Sequence, residues 1–266
     1  MSGDDAATGA EPGAVNLNHP GVEPAIVRLD SVTHEYGGAG RRVVALQDLD
    51  LAVGRGELLC LLGASGCGKS TMLNLIAGLE DPTRGAVTRP ESGAALMFQD
   101  SALFPWLDVT TNVELALRLR GVPRRERQQE ARRLLALVRL EDAAKRRVHE
   151  LSGGMRQRAA LARALAQNTE VLLMDEPFAA LDAITRDLLH LELLDLWREL
   201  GRTIVFVTHN VREAVALGQR VLLLSSRPGR VIGEWHTADV EGHGAQAAGI
   251  AADITAALRR ELERHA

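Results

Sequence analysis

The chain has 266 residues, 46% of them apolar and 25% charged, with 25 glycines and 9 prolines. These proportions exclude a collagenous or wholly disordered chain and leave enough apolar surface for a sizeable core. Its formal net charge of -4 excludes the global basic field with which nucleic-acid binders gather phosphates, so any anion must be held locally.

Residues 1–24 lack the basic start and apolar stretch of a secretion signal and are expected to form a disordered tail. No apolar run is long enough to span a bilayer. From Ile26 the runs IVRLDSVTHEY and RRVVALQDLDLAV, split by GGAG, predict an antiparallel flap. ELLCLL (57–62), VLLM (171–174), TIVFVT (203–208) and VLLLSS (221–226) are apolar on both faces, as in strands of a parallel sheet covered on each side. STMLNLIAGL and ALDAITRDLLHLELLDLWREL supply crossover helices.

Lys69 and Asp175 lie about a hundred positions apart, whereas a simple strand–helix–strand unit takes about 30 residues. The excess predicts an inserted helical subdomain over about residues 100–165. Its arginine-rich stretch is interleaved with Glu126, Glu130, Glu141 and Asp142 around a Leu/Val stripe, which reads as a solvated amphipathic face and not as a nucleic-acid patch. Beyond Trp235 the chain turns polar and ends in AADITAALRRELERHA, so residues 236–266 read as a C-terminal extension ending in a helix. Cys60 and Cys67 have neither CxxC nor zinc-ribbon spacing, which suits a reducing compartment.

GASGCGKS (63–70) matches GxxxxGK[ST] in full, after an apolar run and before a helical pattern, as a phosphate-binding loop requires. Gly63, Gly66 and Gly68 would let successive N–H groups converge on phosphate oxygens, with Ala64, Ser65 and Cys67 completing the loop. Lys69 would bridge the β- and γ-phosphates, Ser70 would offer a hydroxyl to Mg²⁺, and Thr71 would support the α-phosphate side. Cys67 reads as a small filler, with a redox-sensing thiol as the alternative.

VLLMDE (171–176) places Asp175 where an apolar strand ends, at the sheet edge where ligands of open α/β sheets bind. Asp175 is expected to hold Mg²⁺ through water, and Glu176 to polarise the water that attacks the γ-phosphate. His209 ends the run TIVFVTH at the same edge and is expected to touch the γ-phosphate. In LSGGMRQR (151–158), Ser152, Gly153 and Gly154 open a second helix that can accept an anion but brings no lysine. A second half-site in one chain implies that two chains complete each other.

With LSGG lying between these two motifs, residues 26–235 closely resemble the ATP-binding-cassette (ABC) ATPases. The resemblance implies an α/β fold, with a P-loop NTPase core on a mainly parallel sheet, an N-terminal antiparallel flap and the inserted helical subdomain, together spanning residues 25–235. It implies an ATPase that sandwiches ATP between the P-loop of one subunit and Ser152, Gly153 and Gly154 of the other, a second copy or a homologue. It further assigns Tyr36 to adenine stacking, Gln99 to Mg²⁺ and the attacking water, Asp182 to the D-loop, and His209 to the switch position. Simple packing remains the alternative for Tyr36, and Met155 departs from the Gln of many relatives.

FQDSALFPWLDVTTNV, DEPFAALDAITRDLL, THNVREAV and SSRPGRV are together similar to the importer ATPases for nitrate, taurine and other aliphatic sulfonates. That subgroup implies integral membrane permease subunits as partners, a solute-binding protein met indirectly, no nucleic acid, and a peripheral position on the cytoplasmic face of the cell membrane. Phe104-Pro105-Trp106 would meet the permease or else pack within the subdomain. A soluble single-cassette ABC ATPase outside transport is the rival. A P-loop kinase is disfavoured because it has no use for LSGG.

Overall fold

The computed structural model describes residues 25–37, 42–238 and 244–265; the expected tail at 1–24 lies outside them. In chain order the elements are β1 (Ala25–Tyr36), β2 (Val43–Gly54), β3 (Leu58–Leu62), α1 (Lys69–Ala77), β4 (Arg84–Thr88), β5 (Ala94–Met97), α2 (Val109–Leu119), α3 (Arg124–Leu137) and α4 (Gly153–Leu165). There follow β6 (Val171–Asp175), α5 (Ala183–Leu200), β7 (Thr203–Val207), α6 (Val211–Leu217), β8 (Arg220–Leu224), β9 (Val231–His236) and α7 (Ala245–His265).

Two sheets form, a three-stranded antiparallel one in the order β2-β1-β4 and a six-stranded one in the order β5-β6-β7-β3-β8-β9. Every neighbouring pair in the larger sheet is parallel except β8 and β9. The mainly parallel sheet, antiparallel flap and inserted helices agree with the sequence reading. The flap has a third strand, β4, that its sequence concealed, because RGAVT is mostly exposed and carries no apolar alternation.

The central strands are buried on both faces because the sheet separates two cores. Along β3, Leu58, Cys60 and Leu62 join the core beneath the helices, while Leu59 and Leu61 face the antiparallel sheet and α1. The same period-two division recurs in β7, with Ile204 and Phe206 on one side and Val205 and Val207 on the other. This continuous apolar register brings the C-terminal ends of β3, β6 and β7 to one edge, and the polar residues that follow each strand meet there.

The helices α2, α3 and α4 fall between β5 and β6 and pack mainly on one another. Asp108 caps α2 by accepting from Thr111 N at 2.7 Å, and Asn112, fully buried, ties that start to the Phe104 backbone. On α3 only Ala131, Leu134 and Leu135 are buried, and Arg124, Arg125, Arg132 and Arg133 lie on a solvated face while Arg127 is half-buried. Helix α7 begins at Ala245, six positions before the AADITAALRRELERHA run, and packs against α6 and β9 with Ala247 and Ile254 in the helical-side core.

Candidate functional site

The loop 63–68 leaves β3 and runs directly into α1. Gly68, at φ 100°, is the residue before the helix, and a Cβ there would come within 2.6 Å of Leu46 Cδ2 and 2.8 Å of the Ala45 carbonyl. Only glycine fits that turn. Lys69, 6% exposed, folds back inside the loop, where its ammonium donates to the carbonyls of Gly63 at 2.8 Å and Ala64 at 2.9 Å. Cys67 Sγ lies 3.7 Å from the same ammonium; burial pushes the Cys67 thiol up, and the Lys69 charge opposes this only in part.

At the strand ends, Ser70 Oγ donates to Asp175 Oδ2 at 2.7 Å. Glu176 adopts φ 45°, a left-handed conformation that turns it out of the strand direction of Asp175, while its N–H remains bonded to Val207 O at 3.1 Å. Its Oε2 lies 2.8 Å from His209 Nδ1. A neutral imidazole has a single N–H, and facing a carboxylate that proton belongs on Nδ1. A γ-phosphate contact by His209 therefore requires this pair to open or the ring to take a second proton.

Tyr36 is 40% exposed, which removes simple core packing as its role. Its hydroxyl donates to Glu80 Oε2 at 2.7 Å and lies 3.2 Å from the Thr71 hydroxyl, and its ring meets His34 edge-on at 4.7 Å. Burial, with Glu80 alongside, holds its hydroxyl above the ordinary tyrosine range despite the Thr71 hydrogen bond.

One cavity of about 510 Å³ collects Tyr36, Ser65, Gly66, Gly68, Lys69, Ser70, Thr71, Gln99, Asp175 and Glu176, together with Val43, Ala45 and Arg227. Gly63, Ala64, Cys67 and His209 border this group through the contacts above and do not line it. Ser152, Gly153, Gly154 and Asp182 lie elsewhere. Ser152 caps α4, its exposed hydroxyl accepting from Met155 N at 3.3 Å. Gly153 and Gly154 have a packing role too: added Cβ atoms would stand 3.0 Å from Leu181 and 2.8 Å from Thr185. Asp182 caps α5 by accepting from Thr185 N at 3.0 Å, which holds its carboxyl below the usual aspartate range.

Sequence reasoning assigned no role to Arg227, although SSRPGRV drew notice as a string. The hard, oxygen-only set of Ser70, Gln99 and Asp175 suits a magnesium ion that takes its remaining ligands from phosphate and water. Among the described residues no group of three or more His, Cys, Asp or Glu could hold a metal.

The ABC transporter family pattern matches residues 46–179. A taurine import ATP-binding protein of Burkholderia thailandensis is 48% identical over 204 residues, covering 74% of this chain and 78% of that protein. Its counterpart from Pseudomonas entomophila is 45% identical over 215 residues, covering 78% and 82%. Among solved structures, the ATP-binding cassette MJ0796, a dimer in a post-hydrolysis state bound to ADP and Pi, superposes with a TM-score of 0.70 at 34% identity, covering 79% of this chain and 98% of that one. CbiO1 from Clostridium perfringens, part of the ABC transporter complex cbiONQ, superposes with a TM-score of 0.73 at 25% identity, covering 83% and 92%. The chain belongs to the ABC transporter family of ATP-binding proteins.

Proposed function

We propose that this chain is the ATP-hydrolysing subunit of an ABC importer for taurine or a related sulfonate, acting as a dimer beneath a membrane permease. The observation that carries the reading is the meeting of Lys69, Ser70, Gln99, Asp175 and Glu176 in one cavity with Tyr36 at its edge. The taurine import relatives, alike over about three quarters of the chain, support the solute class. Residues 25–235 are the cassette in this reading, about 100–165 its helical subdomain, and 236–266 the C-terminal extension.

Tyr36 stacks on the adenine, and the loop 63–68 with Thr71 binds the phosphates through backbone N–H groups and hydroxyls. Lys69 transfers its ammonium from the Gly63 and Ala64 carbonyls to phosphate oxygens. Ser70, Gln99 and Asp175 would hold Mg²⁺, which when bound neutralises charge on the phosphate oxygens. Glu176 takes a proton from the attacking water as the bond between the γ-phosphorus and the bridging oxygen to the β-phosphate breaks. His209 holds the Glu176 carboxylate until nucleotide arrives and then turns to the γ-phosphate. Ser152, Gly153 and Gly154 of a second copy, with its Asp182, complete the pocket.

Closure of the dimer around ATP moves the permease, and loss of phosphate removes the attraction that holds the dimer closed, so it reopens. Trp106 is 68% exposed and touches Phe104 at a ring separation of 5.5 Å. It stands clear of the subdomain core, which supports Phe104-Pro105-Trp106 as the permease-facing segment. Among the described residues no helix is long and apolar enough to cross a membrane, and the reading places the chain on the cytoplasmic face through its partner. Expression with its chromosomal neighbours should recover an integral membrane protein bound to the chain, and taurine or another sulfonate, supplied with a binding protein, should raise ATP turnover. Recovery of an active chain with soluble partners alone would favour the soluble single-cassette rival.

A further inference from the structure

Arg227 lines the same cavity as the P-loop residues but comes from the opposite end of the chain. It stands in the loop 225–230 between β8 and β9, which is fastened from several sides. Ser225 Oγ donates to Pro228 O at 2.7 Å and accepts from Arg230 N at 2.9 Å, and Ser225 N donates to Arg230 O at 2.8 Å. Gly229 exchanges backbone hydrogen bonds with β2, donating to Ala45 O at 2.9 Å and accepting from Gln47 N at 3.1 Å. Ser226 N donates to the buried carboxylate of Glu261 on α7 at 2.8 Å, so the C-terminal helix braces this loop as well.

The guanidinium is thereby set against the P-loop. Its Nε donates to the Gly66 carbonyl at 3.1 Å, and a Cβ on Gly66 would stand 2.7 Å from Nη2. Gly66, at φ 76°, is favoured by its left-handed backbone, and the arginine lies close over it. Arg227 is exposed, and no described carboxylate pairs with it. A fixed, uncompensated cation with N–H donors left over, at the mouth of an anion cradle, fits an additional phosphate ligand.

We propose that Arg227 is a nucleotide-binding residue whose remaining N–H donors bond phosphate oxygens of ATP, adding to the charge that Lys69 supplies. The proposal rests on the nucleotide reading of the cavity. It also gives α7 a part in nucleotide affinity, through Glu261 and Ser226.

The test is titration of the full chain with MgATP, MgADP and AMP. Arg227→Ala should weaken MgATP about tenfold, MgADP less and AMP least, because the loss follows the number of phosphates. Arg227→Lys, which keeps the charge, should recover part of the affinity. Arg227→Gln, which can still donate to the Gly66 carbonyl, should not. MgATP binding by Arg227→Ala within twofold of the unaltered chain would overturn the proposal, as would full recovery by Gln, which would reduce Arg227 to a brace. Binding of no nucleotide by the unaltered chain would remove the nucleotide reading and this proposal together.

Discussion

The strand-edge cluster and the Ser152 turn both read as anion-binding features, yet the fold treats them in opposite ways. In the cluster most of the polar groups are already engaged within the chain. Lys69 sits on two carbonyls, Ser70 on Asp175, Glu176 on His209, and Tyr36 on Glu80. At the turn, the Ser152 hydroxyl is exposed and accepts only from its own helix, and the first turn of α4 has no acidic residue to offset the helix dipole. The cluster is a set of reactive groups parked on one another, whereas the turn offers donors outward and brings no chemistry of its own. On the function proposed above, the residues assigned to hydrolysis wait in internal pairs, and those assigned to a partner's nucleotide stay open.

The sharpest way to break this contrast is Glu176→Gln. An amide cannot take the proton of the attacking water, so turnover should fall by about 10²–10⁴-fold while MgATP still binds. The variant should then accumulate as an ATP-bound dimer, measured by light scattering on a sizing column. A strictly monomeric variant with unaltered turnover would deny Glu176 the role of base.

Ser152→Arg addresses the other half. The bulk and charge fall on the exposed turn, away from the cavity of the same chain, so nucleotide binding by the monomer should change little. Dimer formation with ATP should be lost, and turnover should fall about 10²-fold, the usual effect of removing a preorganised donor. Normal ATP-dependent dimerisation would remove the composite site, and a large loss of monomer affinity would place the turn in its own chain's pocket.

Much of this division was legible in the sequence because its physics is local. The period-two burial of β3 and β7, the loop glycines and the Asp175-Glu176 pair at a strand end each follow from a few consecutive residues. What escaped depends on distant segments meeting. Strand β4 has too little burial to leave an apolar pattern, and β5 has only four residues. The pairing of Glu176 with His209 joins the ends of adjacent strands 33 positions apart, and Tyr36 meets Glu80 across 44. Arg227 reaches Gly66 across 161 positions, which no spacing rule in a single sequence could anticipate. The reversed direction of β9 was hidden for the same reason.

The smallest expected effect tests whether the cluster's charges are as fully engaged as the geometry implies. Cys67 is 1% exposed, and its thiol is held above the ordinary cysteine range because burial outweighs the Lys69 ammonium nearby. The Lys69 ammonium, 3.7 Å from the sulfur while it also donates to the Gly63 and Ala64 carbonyls, favours the thiolate, but burial outweighs it. Alkylation by iodoacetamide at neutral pH should therefore run several-fold slower at Cys67 than at a free thiol and speed up with pH, ATP slowing it further by covering the loop. The linkage to stability has a definite sign. A thiol whose folded value is raised contributes fully below the unfolded value, and that contribution is lost as pH rises through the folded one. Cys60, pushed much further up by burial and by Glu213, acts in the same direction, so Cys67→Ser should blunt the alkaline loss of stability without abolishing it. Rapid alkylation of Cys67 at neutral pH would mean that Lys69 spends its charge on sulfur, and the cluster would then be a reactive thiol site and not a parked one.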